Sequence, residues 1–336
     1  MSEPTEPIAS APPPSPYAPD DRRPPDPDAP PPALLAGSAP VSFGINVPLP
    51  PDAWMPDGDA IVDAIADLGY RGTELGPPGF LGDGPAVRER LARRRLELIG
   101  SFLPMTFSRQ DRFDSERAWL TESLAIIREG SGLERPFAIL SDGFGEPERM
   151  AFAGRIEEHP EAWLPARRFR TLMDNLHRAA EICQAAGFQP VLHHHAGTYI
   201  ETGAEIRRVL DAMDPALLGL CLDTGHARFG GADPTALVHT YHDLIRHVHL
   251  KDCSTAVLEA GHERGDDFGT LVRAGAFCEL GRGDAGIADC VQALRQHDYH
   301  GWVVVEQDRY LLAVDTFEDL VAAQRRNRDF LATLGV

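Results

Sequence analysis

The residues able to do chemistry gather at four short places in the C-terminal half of the chain. His193-His194-His195, Asp223 with His226, His247-x-His249 with Lys251, and Glu306 with Asp308 each follow a short apolar run. Imidazoles and carboxylates together make a mixed N/O donor set. Such a set suits Mn²⁺, Co²⁺, Fe²⁺ or Zn²⁺, and suits Mg²⁺ or Ca²⁺ less well because those prefer all-oxygen shells. Any one histidine alone reads more simply as a hydrogen-bonded core residue. Glu306 resists that reading, because a carboxylate directly after Val-Val-Val is costly to bury unless paired or metal-bound. Lys251 stands out for another reason: of the 32 basic residues, 31 are Arg and it is the one Lys. A compact ammonium of adjustable pKa can fill a role that a planar guanidinium cannot.

These groups need elements that bring them to one height. The run 218–222 is too short for a helix and suits a strand buried on both faces, which then delivers Asp223 to its C-terminal end. The spacing predicts strands over 41–47, 72–76, 96–103, 137–140, 190–195, 218–223, 246–251 and 302–306. Helices are predicted over 59–68, 85–95, 115–129, 166–186, 204–213, 234–241, 287–296 and 317–334, with a Gly-rich excursion over 253–284 lying across the mouth. Eight strands alternating with eight helices predict an α/β fold of the (β/α)8 TIM barrel kind, in which chemistry sits at the strands' C-terminal ends. No Gly-x-Gly-x-x-Gly follows the first predicted strand, so a doubly wound dinucleotide fold has no support there. Side chains alternate across a strand, so His193 and His195 share one face, and His247, His249 and Lys251 another.

Composition sets the outer bounds. The chain of 336 residues suits one large barrel plus a tail. Residues 1–40 carry 14 of the 29 prolines and are expected to form a disordered Pro-rich tail, with the barrel over 41–336. A formal charge of -19 argues against nucleic acid or an anionic membrane surface as partner. Five widely spaced cysteines without Cys-x-x-Cys favour reduced thiols, and neither a signal peptide nor a membrane span is expected, which reads as a cytoplasmic protein. A homodimer or higher homo-oligomer stays open.

Four stretches carry a resemblance. Leu-Cys-Leu-Asp-Thr-Gly-His (220–226), Gly-Gly-Ala-Asp-Pro (230–234), His-Val-His-Leu-Lys-Asp (247–252) and Gly-Trp-Val-Val-Val-Glu-Gln-Asp (301–308) resemble the xylose-isomerase-like barrels. With 69–76 and 195–202, they are most similar to the myo-inosose dehydratases and their sugar isomerase/epimerase relatives. The resemblance spans about residue 41 to the C-terminus. It implies a divalent metal, Mn²⁺ or Co²⁺ first, with Zn²⁺, Fe²⁺ or Mg²⁺ also admissible, held by His193, Asp223, His249 and Glu306. Many epimerases of this superfamily carry Glu where His193 stands. His195 then falls on a substrate contact, though the two histidines can exchange roles. The missing carboxylate counts against a two-base epimerase and for a lyase.

The reaction implied is removal of a proton beside a ketone of a polyhydroxylated sugar or cyclitol, followed by loss of water. Lys251, its pKa lowered by the adjacent cation, or one of His195 and His226, is expected to take the proton. Glu306 completes the catalytic set. Glu74, at the mouth of the second strand, is expected to meet substrate hydroxyls or to be a structural acid. The alternatives are a keto-sugar isomerase or epimerase on the same site, and a non-catalytic sugar-binding barrel. The superfamily's DNA endonucleases fit this acidic chain poorly.

Overall fold

The computed structural model describes residues 34–46, 54–144 and 146–336. Its main sheet is parallel throughout and consists of β1 (Leu34–Ser38), β2 (Gly72–Thr73), β3 (Glu97–Leu98, continued by Gly100–Met105), β4 (Phe137–Asp142), β5 (Gln189–His193), β6 (Gly219–Asp223), β7 (Ile245–Leu250) and β8 (Gly301–Val305). The two outermost ladder segments are the two parts of β3, separated only by Ile99. Ile99 donates its N–H to the Thr73 carbonyl and accepts from the N–H of Phe137. The sheet thus closes on itself, and the fold is the expected TIM barrel.

All eight expected helices are present, from Gly58–Asp67 to Phe317–Thr333, with bounds close to those read from the sequence. Local signals explain their starts. Asp57, Asp83, Asp233 and Thr316 cap the first backbone N–H groups, and Thr202 with Glu205 forms a complete capping box.

One strand is corrected. β1 is Leu34–Ser38, not 41–47; residues Pro40–Phe43 form a 3₁₀ turn instead. Leu-Leu-Ala-Gly-Ser has few β-branched residues and lies directly after a proline run, so its local signal is weak. Tertiary space decides it: a Cβ on Gly37 would lie 2.5 Å from Ile99 Cδ1, and one on Gly72 would lie 2.9 Å from the Trp302 ring. Small residues on β1 and β2 make room for the barrel's interior side chains. Of the tail expected over 1–40, residues 1–33 lie outside the described residues, as do 47–53, whereas 34–40 form β1 and the start of the turn after it and so belong to the barrel.

Two cores result. The outer one fills the space between strands and helices. The inner one plugs the barrel with Ile99, Phe137, Ile139, Val191, Cys221, Trp302 and Val304, all from inward-facing positions. Two residues further along β5, β6 and β8, the same inward face becomes His193, Asp223 and Glu306. The excursion after β7 is more ordered than its glycines suggest. It holds helices Thr255–Arg264 and Phe268–Arg273, and a two-stranded ribbon of Asp252–Cys253 with Phe277–Cys278. Phe268 and Val272 from this excursion form part of the cavity wall over the mouth. Asp252 is its anchor, accepting N–H bonds from Cys253, Gly281, Gly283 and Ala285. The five cysteines are free, and no helix among the described residues is long and apolar enough to cross a membrane.

Candidate active site

Donor atoms of His193, Asp223, His249 and Glu306 all lie within 4.8 Å of one another and are buried. Register explains the convergence. His193 pairs with Cys221 across β5–β6, and His249 pairs with Asp223 across β6–β7 and with Val304 across β7–β8. A register shift at Leu220/Cys221 leaves one residue of β7 unpaired, which sets His249 level with Asp223. Without it the outward-facing Val248 would stand there.

The four atoms are spaced as ligands are. His193 Nε2 lies 3.3 Å from Asp223 Oδ2, and His249 Nδ1 lies 3.0 Å from Glu306 Oε2 and 3.7 Å from Asp223 Oδ2. Ligands about 2.1 Å from a tetrahedral ion stand about 3.4 Å apart. His249 supplies the sharper test. Its Nε2 faces Glu74 Oε1 at 2.9 Å, and a carboxylate can only accept, so Nε2 carries the proton. Nδ1, buried and without an aligned hydrogen-bond partner, carries the lone pair of the neutral ring. Against burial, the acids around it, Glu306 and Glu74, hold the ring's pKa well above the usual imidazole range, so a cation binding at Nδ1 displaces a proton. A bare imidazole nitrogen turned toward two carboxylates and a second imidazole is a donor set that fits a divalent cation.

Glu74 is therefore placed to orient two imidazoles. Its Oε1 accepts from His247 Nε2 at 2.8 Å as well as from His249, and those contacts outweigh burial to hold its carboxyl well below the usual range. It also reaches the cavity wall, so contact with a substrate hydroxyl stays available.

Above this layer opens a cavity of about 280 Å³, close to the lower end of ligand sites, roughly 300 Å³. Its polar wall comes from His193, His195, Lys251, Glu306, Asp308 and Glu74. Facing it are Phe102, Phe144, Met150, Phe268 and Val272. His195 Nδ1 donates to the Ala196 carbonyl at 2.7 Å, which leaves Nε2 as an acceptor. Burial and the nearby His226 hold this ring well below the usual imidazole range, so it is a neutral base.

Two surroundings bear on the expected proton carriers. Burial opposes the charge of Lys251, but Asp223, Asp308 and Glu306 surround it, and these protein groups by themselves hold it above the ordinary range. Its Nζ lies 2.8 Å from Asp308, 3.1 Å from Glu306 and 3.3 Å from Asp223. His226 does not line the cavity. It lies fully buried behind His195, ring centroids 3.6 Å apart, with Ala196 N–H on Nδ1 and the Lys251 ammonium on Nε2. Burial and then Lys251 keep it neutral. The sequence gives no role to Asp308, although alternation along the strand places it on the same face as Glu306. The aromatic half of the wall carries no motif at all.

Comparison with known proteins bears on the family and the fold. A profile of the xylose isomerase-like TIM barrel family matches residues 62–333. An inosose dehydratase from Geobacillus kaustophilus is 36% identical over 281 residues, covering 81% of this chain and 87% of that protein. Inosose dehydratase 2 from Bacillus cereus is 37% identical over 294 residues, covering 84% and 95%. Among solved structures, a D-allulose 3-epimerase from Methylomonas sp. superposes with a TM-score of 0.64 at 16% identity, covering 90% of this chain and 99% of that one. A probable 3-DHS dehydratase from Bacillus anthracis gives 0.62 at 15%, covering 89% and 99%. At those identities the structures speak for the fold alone. The chain belongs to the xylose isomerase-like TIM barrel family.

Proposed function

We propose that this chain is a divalent-metal-dependent hydro-lyase that dehydrates a keto-cyclitol or keto-sugar, as the name of its inosose dehydratase relatives suggests. The observation that carries the reading is the pairing of opposite proton carriers beside one ligand set. His195 offers a neutral acceptor nitrogen and Lys251 a protonated ammonium, both on the wall of the cavity that His193 and Glu306 floor. A divalent ion, Mn²⁺ or Co²⁺ first, held by His193, Asp223, His249 and Glu306 would supply Lewis-acid polarisation of a substrate ketone.

The chain's own residues do the rest. His195 Nε2 takes the proton from the carbon beside the ketone. Lys251 Nζ gives a proton to the hydroxyl on the next carbon, which leaves as water. The enol so formed rearranges to a vicinal diketone. Asp308 holds Lys251 in place, and Glu74 fixes the tautomer of His249. The apolar half of the wall, with Phe268 and Val272 above, excludes water from the reacting face.

The test uses a ketoinositol and follows the diketone by ultraviolet absorbance. The Glu306→Gln protein is expected to lose bound metal and at least about 10²–10³-fold of turnover. Full turnover with intact metal content in that variant overturns the reading. Appearance of an epimer without the diketone assigns the site to an isomerase instead.

A further inference from the structure

Lys251 does more than one proton transfer requires. Its ammonium touches four groups that are all good metal ligands: Asp308 Oδ1 at 2.8 Å, His226 Nε2 at 2.9 Å, Glu306 Oε2 at 3.1 Å and Asp223 Oδ2 at 3.3 Å. Glu306 and Asp223 belong to the ligand set already described. Asp308 and His226 belong to a second one, because donor atoms of His195, His226 and Asp308 also lie within 4.8 Å of one another. The two sets adjoin, with His193 and His226 ring centroids 5.5 Å apart. Nζ stands where they meet.

We propose that the Lys251 ammonium is a built-in substitute for a second metal ion, occupying the junction of the two ligand sets and keeping the centre mononuclear. The inference rests on the metal reading above. Three carboxylates touch the ammonium, and one divalent ion plus one ammonium balance their charge. A second divalent ion added to that set would leave two positive charges in excess in a buried site, which is costly. The distances agree: 2.8–3.3 Å is the reach of an N–H bond, whereas a metal ion draws its ligands to about 2.0–2.2 Å. The choice of residue agrees as well. Acceptors on several sides suit a compact ammonium with three protons, and a planar guanidinium fork cannot enter such a set. That is a physical reason for the single Lys in a chain with 31 Arg.

The test is metal stoichiometry with Mn²⁺ alone as probe, by elemental analysis and calorimetric titration, with electron paramagnetic resonance for coupling between ions. Wild type is expected to hold one ion per chain. Lys251→Ala is expected to hold two, with the spectrum of a spin-coupled pair, and Lys251→Ala combined with Asp308→Asn is expected to return to one. Should the alanine variant fail to fold by circular dichroism, Lys251→Asp carries the same expectation, because it adds an oxygen donor at the junction. Two ions in wild type, or one ion in a folded Lys251 variant, overturns this proposal and leaves the metal-dependent lyase standing. No ion in wild type overturns both.

Discussion

The mouth of this barrel has two unlike halves. The ends of β5 to β8 carry the titratable groups: His193, His195, Asp223, His249, Lys251, Glu306 and Asp308. The ends of β1, β3 and β4 offer Val41, Ile45, Phe102 and Phe144, and the excursion after β7 adds Phe268 over the top. One half can polarise bonds and move protons, while the other can only pack, exclude water and hold rings edge-on, as Phe102 does to His193 at 5.4 Å. Glu74 is the exception. It starts on the quiet side and reaches across to His247 and His249 on the reactive side. The difference teaches that a barrel needs only about half its strands to assemble a reaction, and that the rest set what the reacting groups see.

Three substitutions break or sharpen that contrast, beyond those already named. The largest effect is expected from the crossing residue. Glu74→Gln should weaken divalent-metal affinity about 10–100-fold, because the amide no longer fixes the His249 tautomer with a full negative charge. Calorimetry measures the affinity, and ¹⁵N NMR of the imidazoles shows whether the tautomer mixes; unchanged values in both refute an orienting role.

Next comes the apolar half. Phe102→Ala should raise KM about tenfold with little change in kcat, since removing part of a wall loses uniform binding worth about 1.4 kcal/mol. An equal fall in kcat would instead put Phe102 in the reaction itself.

The smallest effect on turnover is expected at Asp142, which ends β4 but does not line the cavity. Burial pushes its carboxyl up to about 7, against the pull of a hydrogen bond from the Tyr199 N–H, and Oδ1 has no partner. The folded state therefore keeps a proton that the unfolded chain releases near pH 3.9. Its contribution to stability is fully present below about pH 4 and is lost as pH rises through about 7. Asp142→Asn should flatten the dependence of Tm on pH across that window. A profile parallel to wild type shows that Asp142 does not titrate there.

Much of this was legible in the chain. Strand alternation put His193 with His195 and His247 with His249 and Lys251, and residue spacing located all eight helices. The four residues proposed to hold the metal were legible because each follows a run of buried residues, where an ionisable group needs a reason. β1 was not, since Leu-Leu-Ala-Gly-Ser is suited by the space its Gly37 leaves to Ile99 and Val304, and no local pattern records a neighbour's size. Nor was the state of Lys251, which the sequence pairs with a cation and the fold surrounds with three acids.

By itself the sequence determined which residue types arrive at the strand ends and which of them share a face, because alternation is a property of the backbone. Only the tertiary structure decided that the unpaired residue on β7 sets His249 level with Asp223, and that Glu74 crosses the barrel to orient it. It also decided that the Lys251 ammonium sits among carboxylates. Each of these depends on closing the sheet into a ring, and closure joins residues whose separation along the chain says nothing about their distance.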